Sequence, residues 1–88
     1  MPTISMFYGI IVRMYYAPGE HPPPHIHVYY GEHKAVVDIQ KISVLKGRLP
    51  SKQRRIVLAW SELHPDELMA NWALVENGEE PFKISPLR

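Results

Sequence analysis

Cysteine is absent from the 88 residues, and that absence removes three kinds of chemistry. No disulfide framework can staple the chain, no zinc site can be built on thiolates, and no cysteine can act as a nucleophile. Long apolar runs are also missing. The longest, Met6 to Val12, is far shorter than the roughly 18 residues of a membrane span, and Met1-Pro2-Thr3 opens no basic leader. There is no glycine-rich phosphate loop and no serine in a nucleophile elbow. Nor is one charge in strong excess: ten Lys+Arg face nine Asp+Glu, for a formal net charge of +1. The expectation is a soluble, cytoplasmic protein with no membrane contact. A single domain should fill residues 1–88, since domains mostly run about 50–200 residues. Hydrophobic content of 45% and charged content of 22% are those of a folded chain. Its core must be small, so a metal or an oligomer contact would add to its stability.

Proline and histidine are what the chain has in quantity. Nine prolines are about twice the usual share of roughly 5%. Four of them, with His21, His25 and His27, fall between Pro18 and His27. Charge is balanced in total but not in place: residues 1–55 carry +5 and residues 56–88 carry −4. Half the basic side chains, Lys46, Arg48, Lys52, Arg54 and Arg55, lie within ten residues. Such a run reads either as a solvated helix face or as a modest patch for an anionic partner.

Hydrophobic periodicity predicts strands over about 4–16, 25–31, 33–40 and 42–46, and helices over about 51–63 and 65–77. Tyr8, Ile10, Val12, Met14 and Tyr16 alternate along the first strand. Pro22-Pro23-Pro24 reads as a short polyproline II segment leading into the second strand. Gly31-Glu32 fits a two-residue hairpin turn with glycine first. Ser51 is placed to cap a helix with an apolar stripe of Ile56, Ala59, Trp60 and Leu63. Pro65 opens a second helix with Asp66 and Glu67 in its first turn, and Asn77-Gly78 closes it. Leu68, Trp72 and Val75 form its apolar stripe. The tail Phe82–Pro86 could run along a sheet edge. The expected fold class is α+β: an antiparallel sheet of three to four strands with a C-terminal helical hairpin on one face.

The turn at Gly31-Glu32 dictates a register in which His25 faces Asp38, Ile26 faces Val37, His27 faces Val36, Val28 faces Ala35 and Tyr29 faces Lys34. Cross-strand partners stand about 4.5–5.5 Å apart at Cβ, so His25, His27 and Asp38 are expected on one patch, with His21 as a further ligand. Three readings of that patch stand side by side. Two imidazoles and a carboxylate would suit a divalent metal such as zinc and a hydrolase or nuclease. His25 oriented by Asp38 would suit metal-free acid–base catalysis. A hydrogen-bonded His–Asp pair on a sheet face, or on a surface covered by a partner, requires no chemistry at all.

The tyrosines Tyr8, Tyr15, Tyr16, Tyr29 and Tyr30, beside Arg13 and Lys34, would stack on single-stranded nucleic acid if exposed; packing is the alternative. Arg13, Tyr29, Lys34, Arg48, Arg54 and Arg55 are therefore candidate binding-surface residues. The helical pair does not read as a helix-turn-helix, because its second helix is acidic and would be repelled by phosphates. Trp60 and Trp72 read as core anchors.

Met1-Pro2-Thr3-Ile4-Ser5, Gly9, Glu20-His21-Pro22-Pro23-Pro24-His25-Ile26-His27, Tyr30-Gly31-Glu32, His64, Glu67-Leu68 and Asn71-Trp72 together resemble the bacterial family known as domain of unknown function 4160. Glu20 and Pro22, both beside His21, depart from the family pattern. The resemblance implies a bacterial cytosolic protein with a protein partner encoded nearby, as in a toxin–antitoxin-like pair, and marks the His-Pro segment as its functional face. A partner-binding module is thus the leading expectation, with a metal-dependent hydrolase and single-stranded nucleic-acid binding as the alternatives.

Overall fold

The computed structural model describes residues 2–15 and 22–88. His21, Tyr16 and the Pro18–Glu20 stretch lie outside the described residues. Five strands and two helices follow in order: β1 Thr3–Phe7, β2 Ile10–Arg13, β3 His25–Tyr30, β4 His33–Asp38, β5 Ser43–Gly47, α1 Ser51–Leu63 and α2 Pro65–Glu76. The strands form one antiparallel sheet in chain order, β1-β2-β3-β4-β5. The α+β class is as expected, but the sheet has five strands rather than three to four.

The extra strand comes from dividing the predicted first strand. Phe7 pairs with Ile10 across a two-residue turn, whose residues Tyr8 and Gly9 have φ of 50° and 76°. Positive φ at both positions defines the mirror-image turn that suits the right-handed twist of paired strands. The apolar alternation runs straight through this turn and so hides it from a periodicity reading.

The β3–β4 hairpin has the predicted register at every pair: His25↔Asp38, Ile26↔Val37, His27↔Val36, Val28↔Ala35, Tyr29↔Lys34 and Tyr30↔His33. Gly31 takes φ 56° while Glu32 keeps a negative φ, the pattern of a turn with glycine first. β5 pairs with β4 through a bulge between Val36↔Lys46 and Val37↔Val44, which makes Leu45 the extra residue. The proline segment departs from expectation: the Pro22–Pro23 bond is cis, so it is not a continuous polyproline II stretch.

The helices carry two smaller corrections. Pro50, not Ser51, is the N-cap of α1 and makes no side-chain cap bond, while Ser51 Oγ accepts from Arg55 Nη1 at 2.6 Å. The buried face of α1 is Val57, Trp60 and Ser61, leaving Leu63 65% exposed, so the stripe is rotated from the predicted one. The break at His64 follows from Pro65, which disfavours helical geometry in its predecessor; His64 has φ −128° and ψ 45°. At the end of α2, Gly78 N donates to Val75 O and Glu79 N to Leu74 O, with Gly78 at φ 75°, a Schellman closure.

One core lies between the sheet and the helices. Ile10, Val12, Ile26, Val28 and Val37 meet Val57, Trp60, Leu68, Trp72 and Val75, and each such side chain stabilises the fold by roughly 1.5–3 kcal/mol when fully buried. The Phe7 and Trp60 rings are 5.2 Å apart. The C-terminal tail runs along the outer edge of β1, with Ile84 N donating to Ile4 O at 2.8 Å, and Trp60 Nε1 donates to Ser85 O at 2.8 Å.

Candidate functional site

A sheet alternates its side chains between faces, and among the described residues only one face is under the helices. The other carries Met6, Ile11, Arg13, His27, Tyr29, Lys34, Val36 and Lys46, placed there by their pairing opposite one another. At the strand positions of this face the only carboxylate is Asp38, which is 2% exposed. Arg13, Lys34 and Lys46 therefore give it a positive potential, around half-buried Ile11, His27, Tyr29 and Val36.

The histidines lie toward one end of this face. His25 is buried, its Nδ1 donates to the Pro23 carbonyl at 2.7 Å, and its ring stands 5.0 Å from Trp72 and 5.2 Å from His27. The His27 ring meets Tyr15 edge-on at 4.4 Å, and the Tyr15 and Tyr29 hydroxyls are hydrogen-bonded to each other. Asp38 does not complete this group. Its Oδ1 accepts from the backbone amides of Gln40 and Lys41, both at 2.8 Å, so the carboxylate is turned into its own loop in an Asx-type turn.

Among the described residues no group of three His, Asp or Glu could hold a metal ion. The register brings His25 and Asp38 opposite each other, yet His25, His27 and Asp38 do not assemble as ligands. Cross-strand pairing fixes backbone positions, whereas two nearby amides decide where the Asp38 oxygens point. Asp38 Oδ1 is thereby committed to the turn, while His25 Nδ1 is held by the Pro23 carbonyl. His33 is exposed at the hairpin end, and His64 Nδ1 pairs with Glu67 Oε1 at 2.6 Å in the helical layer.

The predicted binding residues divide between layers. Arg13, Tyr29 and Lys34 share the open sheet face, with the Arg13 guanidinium 5.3 Å from the Tyr29 ring centroid and its Nε donating to Thr3 Oγ1 at 3.3 Å. Arg54 and Arg55 are exposed on α1, which packs on the other face. Arg48 lies between β5 and α1, its amide donating to Lys34 O at 3.1 Å. Lys46, which sequence proximity groups with the helix arginines, instead joins the sheet face through its pairing with Val36.

Two adjoining grooves mark this face. One of about 300 Å³ is lined by His27, Tyr29, Lys34, Ala35, Val36, Lys46 and Gly47. The other, of about 210 Å³, shares His27, Val36 and Lys46 and continues to His25, Leu45, Pro22 and Pro23. Pro22, Pro23 and His25 are therefore on one surface with the basic sheet face. No helix among the described residues is long and apolar enough to cross a membrane.

Residues 9–73 match the model of the family described as Domain of unknown function (DUF4160). Among curated proteins and among solved structures, none matches the chain. The matched span covers β2 through most of α2, and the chain belongs to this family.

Proposed function

We propose that this member of the family is a small partner-binding module, one half of a bacterial two-protein pair of the toxin–antitoxin kind, whose partner docks on the helix-free sheet face. The observation that carries this reading is the composition of that face. Its middle is aromatic and aliphatic, its surrounding charges are Arg13, Lys34 and Lys46, and the one carboxylate at its strand positions is buried. An apolar centre inside a charged rim is the layout of protein interfaces, and the rim's sign selects an acidic partner surface.

Co-expression with the protein encoded beside it, followed by affinity capture and size-exclusion chromatography, tests the reading. A stoichiometric complex is expected, lost on Val36→Asp or on Lys34→Glu with Lys46→Glu, and kept on Arg54→Glu. No complex, or one indifferent to all of these changes, would overturn it.

A further inference from the structure

Within the open face, the larger groove has the features of a small-ligand site that a flat docking surface does not require. Its volume of about 300 Å³ is at the lower end of the roughly 300–1,000 Å³ of ligand pockets, which suits one nucleotide unit rather than a dinucleotide. Tyr29 and His27 on β3 supply aromatic walls. Val36 is apolar, and Lys34 and Lys46 carry ammonium groups from two different strands. Gly47 contributes only backbone, and it must: its φ is 78°, and an added Cβ would meet Lys34 O at 2.2 Å and Ala35 Cα at 2.9 Å. The groove is therefore built into the β4–β5 pairing.

The Tyr29 ring lies between two environments. Arg13 of β2 stacks over it at 5.3 Å, while the groove is formed with β4 and β5 on its other flank. Base–aromatic stacking is tolerant of base identity, and cations nearby hold the phosphate. We infer that this groove binds a nucleoside monophosphate unit, the base against Tyr29 and His27 and the phosphate between Lys34 and Lys46. The inference does not depend on the protein partner.

The test is titration of the ¹⁵N-labelled chain with uridine monophosphate, uridine, inorganic phosphate, a four-nucleotide oligouridylate and hexaglutamate. Uridine monophosphate should give saturable amide shifts at Tyr29, Lys34, Val36, Lys46 and Gly47, at least tenfold tighter than uridine or phosphate alone. The Lys34→Gln/Lys46→Gln variant should weaken it at least tenfold, while Arg54→Gln/Arg55→Gln leaves it unchanged. An oligouridylate bound tenfold tighter than the mononucleotide identifies single-stranded RNA as the source, and equal affinities identify a free nucleotide; both support the site. No saturable shift up to about 10 mM, a limit near the weakest specific binding, would overturn it. So would shifts centred on α1, or equal binding of hexaglutamate, which would mark the groove as a plain anion surface while leaving the docking reading intact.

Discussion

Asn71 holds Phe82 by both ends of its amide: Nδ2 donates to the Phe82 carbonyl at 2.8 Å and Oδ1 accepts from the Phe82 amide at 3.0 Å. A side chain on α2 thus does for the tail what a neighbouring strand would do. Asn71 is itself fully buried, so nothing replaces it when it is removed. Asn71→Ala should cost roughly 2–3 kcal/mol, the loss of two hydrogen bonds with their partners left in place. Urea unfolding measures this, and a loss below about 0.5 kcal/mol would mean that the clamp does not hold the tail.

Tyr8 occupies the left-handed region at φ 50° while 59% exposed. Left-handed geometry is unfavourable for a bulky side chain and tolerated by asparagine. Tyr8→Asn should therefore stabilise the β1–β2 hairpin by about 0.5–1 kcal/mol, raising the thermal midpoint by roughly 2–8 °C for a domain of this size. An unchanged or lower midpoint in calorimetry contradicts this account of the turn.

Gly47→Ala meets both strain and collision. A Cβ 2.2 Å from Lys34 O cannot be relieved by a rotamer change, because the obstacle is backbone. The expected loss is roughly 2–4 kcal/mol, combining left-handed strain with overpacking, with the largest amide shifts in β4 and β5. A variant as stable as the parent would show that the two strands separate freely.

For Asp38, two substitutions separate geometry from charge. Asp38→Asn keeps an oxygen for the Gln40 and Lys41 amides and should cost less than about 1 kcal/mol. Asp38→Ala leaves both amides without that acceptor and should cost about 1–2 kcal/mol. Equal losses in chemical denaturation would assign the carboxylate a role beyond the turn.

The parts of the fold legible from residue types alone are those set by local stereochemistry. Gly31-Glu32 determined the pairing of β3 with β4, because a two-residue turn leaves one register. Pro65 and Asn77-Gly78 bounded α2 for equally local reasons. Tyr8-Gly9 was illegible as a turn because tyrosine is no turn former and the alternation of apolar residues continues across it. The stripe on α1 was misplaced by three aliphatic or small residues, Val57, Ala59 and Leu63, whose burial depends on how the helix rolls onto the sheet. At the candidate site, pairing placed His25, His27 and Asp38 correctly along the strands. What it could not give was the direction of Asp38, decided by two amides in the following loop, or the membership of Lys46, decided by the bulge at Leu45.

The C-terminal tail, lying along β1 and held by Asn71 and Trp60, has a practical side. Ile84 bonds Ile4, and Leu87 packs near Tyr8, Tyr30 and Ile56, so the tail follows β1 from Ile4 toward the Tyr8–Gly9 turn and reaches the start of α1. With strands about 4.7–4.9 Å apart, the stretch at Ile84 lies four to five strand spacings, roughly 19–24 Å, from the groove between β4 and β5. A fluorophore or surface tether joined after Leu87 would hang on the helix side of the sheet, beside the start of α1, and immobilised protein would present its basic face outward to whatever flows past.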